Sequence, residues 1–188
     1  VLLSNKSPLD TLKTNIFGTI NLLENVRKFQ PKIKFIFSST DKVYGESNKL
    51  PYLENFPLNA LNPYDASKAS ADIICRTYAK SFNLDICVTR FVNIYGPGDV
   101  NWQRIIPGTI KSLLSNKVPI IRSNGLFLRD FIYIDDVISG YILLANEMLK
   151  DNKLLKEKAI NFGSGKPISI LNLVKKIIKY FEKNNNFY

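Results

Sequence analysis

The chain has 188 residues, 45% of them apolar, which suffices for a sizeable core and excludes a disordered polymer. With no His and only two Cys, His-based triads, His metal ligands and a disulfide framework are excluded, leaving Tyr, Lys, Asp and Ser/Thr for acid–base chemistry. The formal charge of +10 comes from scattered Lys and Arg, with no basic stripe interleaved with aromatics, so the pattern argues against nucleic acid and for anionic small molecules.

The first predicted element is a helix over residues 9–28, where Leu12, Ile16, Ile20, Leu23 and Val26 recur at spacings of three and four. "KIKFIFSS" follows as a strand apolar enough to be buried on both faces. A Pro- and Asn-rich loop leads to a second long helix, "PYDASKASADIICRTYAKSF", and then to a second buried strand, "LDICVTRFVN". "QRIIPGTIKSLLSN" predicts a helix broken at Pro107. "RDFIYIDDVISGYILLANEML" predicts a short strand running into a helix with Asp135 as its N-cap. "KAINFGSG" is the last predicted strand, and "SILNLVKKIIKYFEK" an amphipathic helix capped by Ser169, before a tail, 184–188, expected to fray. Cys75 and Cys87 fall on apolar faces and are expected to be buried.

Strands alternating with helices predict a parallel α/β architecture with right-handed crossovers. No apolar run is long enough to span a membrane, and the start "VLLSNKSPLD" lacks the pattern of a signal peptide, so a cytoplasmic protein is expected. The sole Met is Met148, and the chain opens on a helix rather than a strand, so it is expected to be a piece of a longer protein. No Gly-x-Gly-x-x-Gly occurs. "GSGK" at 163–166 is not a phosphate loop, because Ile160 stands where the first Gly would be and Pro167 where Ser or Thr is needed. No metal site is expected.

Two stretches carry chemistry. Tyr64 and Lys68 lie four apart at the start of the second helix and share a face, where an ammonium favours phenolate and supplies a general base without histidine. "STDKVYG" at 39–45 ends an apolar strand in a hydroxyl, a carboxylate and an ammonium. Burial would lower the Lys42 pKa and Asp41 would raise it, and the residue types leave open which prevails. If the strand continued, Asp41 and Lys42 would face opposite sides and one would point away.

Seven segments in order, "SPLDTLKTNIFGTINLLENV", "FIFSSTDKVYG", "NPYDASKASAD", "TRFVNIYGPGD", "RIIPGTIKSLL", "RDFIYIDDV" and "NFGSG", resemble the extended short-chain dehydrogenase/reductases, the NAD-dependent epimerases and dehydratases of nucleotide sugars. The resemblance implies a parallel Rossmann-type sheet, present here as its C-terminal part, with a small α/β substrate-binding lobe. Residues 1–92, with about 131–165, would be the later part of the NAD-binding domain; 93–130 and 166–188 would be the lobe. The family's Gly-rich first strand and helix would precede Val1, so this polypeptide alone is expected to bind NAD weakly or not at all, with an apolar sheet edge uncovered.

The resemblance also implies roles. Tyr64 would take the proton from the sugar C4 hydroxyl as NAD accepts hydride, and Lys68 would bind the nicotinamide ribose and hold down the tyrosine pKa. Ser38 and Asn15 would lie beside the cofactor, and Thr40 would hydrogen-bond at the C4 oxygen. Asp41 would act as acid and Lys42 as base in removing water across C5 and C6. Asn93 and Arg129 would contact the diphosphate, with Arg104 and Trp102 nearby on the nucleotide or sugar; without the family, Arg129 reads as an ion pair with Asp130. Asp-Lys after the Thr resembles the branch of CDP-glucose 4,6-dehydratases and the inverting dehydratases of UDP-N-acetylglucosamine. The implied activity is a nucleotide-sugar 4,6-dehydratase, and the implied partners are a nucleotide-diphosphate sugar and, in the intact parent, a second copy. The alternatives are a 4-epimerase and a non-catalytic sugar-nucleotide-binding module.

Overall fold

The computed structural model describes residues 2–47, 49–150 and 155–185. They divide into two compact units, 1–92 with 138–162 and 93–137 with 163–188.

The first unit opens with two short helices, α1 (Leu2–Lys6) and α2 (Pro8–Leu12). A wider, π-helical turn at Lys13–Phe17 then runs into α3 (Gly18–Phe29). The sheet is built from β1 (Phe35–Thr40), β2 (Ile86–Phe91) and β6 (Ala159–Phe162), all parallel in the order β1–β2–β6, with Phe35 opposite Ile86 and Val88 opposite Ala159. The helix α4 (Pro63–Ser81) makes the crossover from β1 to β2.

Alternation along β2 sorts its side chains to two faces. Ile86 and Val88 pack with Leu23 of α3 and with Cys75 and Ala79 of α4. Cys87 packs with Leu144 and Met148 of α6 (Ile134–Leu149) on the opposite face. Helices on both faces bury β2 completely. β1 differs from its expectation. Its apolar residues Phe35–Phe37 are only half-buried, because among the described residues β1 pairs on one side alone. Gly140 lets α6 approach β6; a Cβ there would meet the Phe162 ring at 2.5 Å.

The second unit holds two small sheets. β3 (Asn93–Tyr95) pairs in parallel with β5 (Phe131–Tyr133), and β4 (Leu128–Arg129) pairs antiparallel with β7 (Ile168–Ser169). Residues 131–137, expected with the nucleotide-binding part, cluster here instead, because β5 pairs with β3. α5 (Ile105–Leu114) packs on α7 (Ile170–Asn185). Pro107 does not break α5. It falls in the first turn, where its missing N–H would have had no partner in any case. Asp135 is not a cap either, since α6 begins at Ile134 and places Asp135 and Asp136 in its first turn. Ser169 does cap α7, its Oγ accepting from the Asn172 N–H at 3.2 Å. α7 runs through Asn185; 186–188 of the tail expected to fray lie outside the described residues. No described helix is long and apolar enough to cross a membrane.

Candidate active site

β1 stops at Thr40, and Asp41–Tyr44 wind into a tight 3-10 turn. Thr40 holds extended backbone at the head of this turn, and its Oγ1 accepts from the Lys42 N–H at 3.4 Å while donating to Asp41 Oδ1 at 3.1 Å. Because the chain has left the strand, alternation no longer separates the next two side chains. Lys42 Nζ lies 3.6 Å from Asp41 Oδ1, so the pair meets rather than splits. A hydroxyl, a carboxylate and an ammonium are thereby gathered at the C-terminal end of a parallel strand, the end at which open α/β sheets bind ligands.

α4 begins beside this end. Pro63 opens the helix with its φ preset, after Asn62 in extended conformation, and places Tyr64 and Lys68 in the first two turns. Lys68 Nζ donates to the carbonyl of Ser38, two residues before Thr40, and lies 4.4 Å from the centre of the Phe37 ring. Burial lowers the Lys68 pKa from its ordinary value, with Cys75 and Asp72 opposing. Tyr64 is half-buried. Its backbone carbonyl accepts from Ser67 Oγ at 2.7 Å, and that Oγ accepts from Asn15 Nδ2 at 2.8 Å. Asn15 lies in the π-helical turn of Lys13–Phe17, a distortion of the kind often found at functional sites. Thr40, Asp41 and Lys42 are thus in direct contact, Ser38 and Lys68 are bonded to each other, and Asn15 reaches the Tyr64 backbone through Ser67.

The remaining predicted residues belong to the second unit. Asn93 is half-buried and gives its Nδ2 to the Asp130 carbonyl at 3.0 Å. The ion pair weighed for Arg129 does not form. Asp130 takes Ser164 Oγ and, at 3.0 Å, the Gly165 N–H, while the exposed Arg129 lies over the Phe127 ring and donates to the Leu128 carbonyl. Arg104 pairs with Asp99 at 3.1 Å. Trp102 and Asp99 join Tyr95, Ile106, Pro107 and Ile110 around a cavity of about 150 Å³.

A second constellation in the first unit was missed by sequence reasoning. Arg90 of β2 is fully buried, with Nε and Nη2 on the two Asp72 carboxylate oxygens at 2.9 and 3.0 Å. Its Nη1 donates to Tyr44 Oη at 2.7 Å and to the Glu54 carbonyl at 3.2 Å. Tyr44 in turn donates to Asn161 Oδ1 at 2.7 Å and stacks on Tyr52 with ring centres 4.9 Å apart. Burial opposes the Arg90 charge, but Asp72 and Tyr44 outweigh it and hold the guanidinium above its ordinary range. The signal was available: an Arg inside an apolar strand must find a carboxylate.

The model of the NAD dependent epimerase/dehydratase family matches residues 1–163. The chain belongs to that family. A dTDP-D-glucose 4,6-dehydratase of Dictyostelium discoideum is 37% identical over 186 residues, covering 93% of this chain and 41% of that protein. A putative UDP-glucose 4-epimerase of Methanocaldococcus jannaschii is 34% identical over 183 residues, covering 94% of this chain and 56% of that protein. Among solved structures, dTDP-glucose 4,6-dehydratase of Bacillus anthracis in complex with NAD superposes with a TM-score of 0.81 at 33% identity, over 89% of this chain and 52% of that one. The UDP-N-acetylglucosamine 4-epimerase of Methanobrevibacter ruminantium, in complex with UDP-N-acetylmuramic acid, gives 0.86 at 30% identity, over 97% and 57%. The sheet is therefore part of a Rossmann-type fold, and the chain spans about half the length of the curated relatives it matches.

Proposed function

We propose that this chain carries the acid–base half of an NAD-dependent nucleotide-sugar 4,6-dehydratase, with CDP-glucose as the substrate type its Asp-Lys pair favours. The observation that carries the reading is Asp41, a carboxylate directly after the strand-end hydroxyl and within reach of Lys42. A simple 4-epimerase has no use for such a group, whereas dehydration must move two further protons. The residues fit one end of the cofactor: Tyr64 and Lys68 suit the nicotinamide ribose, and Ser38 holds the Lys68 ammonium in place. The Gly-rich motif for the pyrophosphate does not occur in the 188 residues.

NAD, when bound, would take the hydride from the sugar C4 and give it back at C6 once water has left, as the 4-keto-6-deoxy product requires. Tyr64 takes the C4 hydroxyl proton, and Thr40 hydrogen-bonds the C4 oxygen. A ketone at C4 makes the C5 proton acidic. Lys42, as the neutral amine, then takes that proton as Asp41, as the carboxylic acid, gives one to the departing C6 oxygen, so the pair passes from two neutral groups to an ammonium and a carboxylate with the same net charge. Asn93 and Arg129 suit the diphosphate, a task for which the planar guanidinium fork is fitted, and Arg104 suits the nucleotide or sugar.

The names of the epimerase relatives favour a second reading, 4-epimerisation. One assay separates the two. The full-length protein is incubated with NAD and, in turn, CDP-, dTDP- and UDP-glucose, and the products are analysed for the 4-keto-6-deoxy sugar by its alkali-induced ultraviolet chromophore and by mass. A keto-deoxy product that disappears in Asp41→Asn supports the dehydratase. A C4 epimer of unchanged mass refutes it, and tight nucleotide-sugar binding with neither product points to a binding module.

A further inference from the structure

Asp41 and Lys42 stand on a four-residue turn with little of its own to hold it. Within the turn, the Lys42 carbonyl accepts from the Gly45 N–H at 3.1 Å, and Thr40 Oγ1 receives the Lys42 N–H at the long distance of 3.4 Å. The far end of the turn is different. Tyr44 is 3% exposed, and its hydroxyl lies between Arg90 Nη1 and Asn161 Oδ1, at 2.7 Å from each. Its ring is covered on one side by Tyr52 and approached by the Arg90 guanidinium, whose carbon is 4.9 Å from the ring centre. Arg90 cannot swing away, because Asp72 clamps it through two parallel hydrogen bonds from the neighbouring helix.

The same anchor holds the segment after the turn. The Glu54 carbonyl accepts from Arg90, and the Glu54 carboxylate accepts from the Asn161 N–H at 2.9 Å. Tyr52 Oη donates to the Gly45 carbonyl at 2.8 Å, and the Asn59 N–H donates to the Val43 carbonyl at 2.9 Å. Elements far apart in sequence therefore converge on one phenol, two residues from Lys42 and three from Asp41.

We propose that Arg90, clamped by Asp72, is a positioning residue: through Tyr44 it fixes the turn that presents Asp41 and Lys42, and so governs proton transfer in the dehydration step. The inference rests on the proposed function for what the turn does, but not for how it is held. A side chain that must deliver a proton tolerates little misplacement, so the reach of a buried guanidinium into this turn has a catalytic consequence beyond folding.

The test is Tyr44→Phe, which keeps the stacked ring and removes only the shared hydroxyl; Arg90→Met serves as the stronger variant if it folds. Amide exchange on the 188-residue chain is followed by mass spectrometry. The expected result is exchange at least about tenfold faster in peptides covering 41–60, the effect of the two hydrogen bonds lost with the buried hydroxyl, with β2 and the C-terminal half of α4 unchanged. Unchanged protection at 41–60, or equal acceleration everywhere, overturns the proposal, since the second is what mere loss of stability produces. In the active protein, Tyr44→Phe should lower formation of the keto-deoxy product while NADH still appears from the first half-reaction. A parallel fall in both overturns the catalytic part. If the unaltered protein forms no keto-deoxy sugar at all, the proposed function fails, and the exchange pattern still decides the anchor.

Discussion

Replacing Asp72 with Asn keeps the size and shape of the side chain and removes the charge opposite Arg90. Both side chains are fully buried, and the carboxylate accepts two hydrogen bonds, at 2.9 and 3.0 Å. Removing one partner of such a pair costs about 3–5 kcal/mol, because a buried charge is left uncompensated. The Asn oxygen can still accept one of the two bonds, and Nη1 keeps Tyr44 and the Glu54 carbonyl, so the lower end, about 3 kcal/mol, is expected. Against a total of roughly 5–15 kcal/mol this is a large fraction. At roughly 2–4 °C per kcal/mol for a chain of this size, the melting midpoint should fall by about 6–12 °C, measured by far-ultraviolet circular dichroism. The double variant Asp72→Leu with Arg90→Met should recover much of the loss, since apolar replacements of a buried pair are often neutral. A fall of less than about 2 °C in Asp72→Asn would show that the guanidinium is satisfied without the carboxylate, and the reasoning would fail.

Gly45 has φ +68° and ψ −158°, a region open essentially to glycine alone, and a Cβ there would lie 2.1 Å from the Asn59 carbonyl oxygen. Gly45→Ala should cost at least about 1–3 kcal/mol in urea unfolding, and a neutral result would contradict the turn geometry. Burial raises the thiols of Cys75 and Cys87 to about 12 and about 11. Alkylation at mildly alkaline pH should therefore be slow in the native protein and rapid in urea; fast native labelling would refute the burial. Since the folded values lie above the ordinary thiol value near 8.5, the linked stability is full below that pH and is lost as pH rises through about 11 and about 12. Tyr64→Phe should lower turnover by about 10²–10⁴-fold if its phenol is the general base, and full turnover would remove it from that role.

Much of the fold was legible because its signals are local. The spacing of Leu12, Ile16, Ile20, Leu23 and Val26 predicts a helix, and Leu23 is indeed buried against β2, although periodicity does not reveal that a π-helical turn interrupts the run at Asn15. Ser169 read correctly as a cap because a cap is made within one turn of chain. Pro107 and Asp135 were misplaced because a shift of two residues at a helix start changes a breaker or a cap into an ordinary first-turn residue, and that start is set by packing. The meeting of Asp41 with Lys42 depends on where β1 gives way to a turn, and no pattern in "STDKVYG" specifies that point.

The sequence by itself determined the order of the main helices and of β1, β2, β5 and β6, the apolar faces of the helices, the family and the chemical types available at the strand end, because these signals are carried by local patterns of residues. Only the tertiary structure decided which charge answers Arg90, that Tyr44 is shared between Arg90 and Asn161, and that Arg129 leaves Asp130 to Ser164 and Gly165. Those partners lie up to 117 residues apart along the chain, as Tyr44 does from Asn161. A buried polar group demands a partner, but the chain's path through space determines which one it meets.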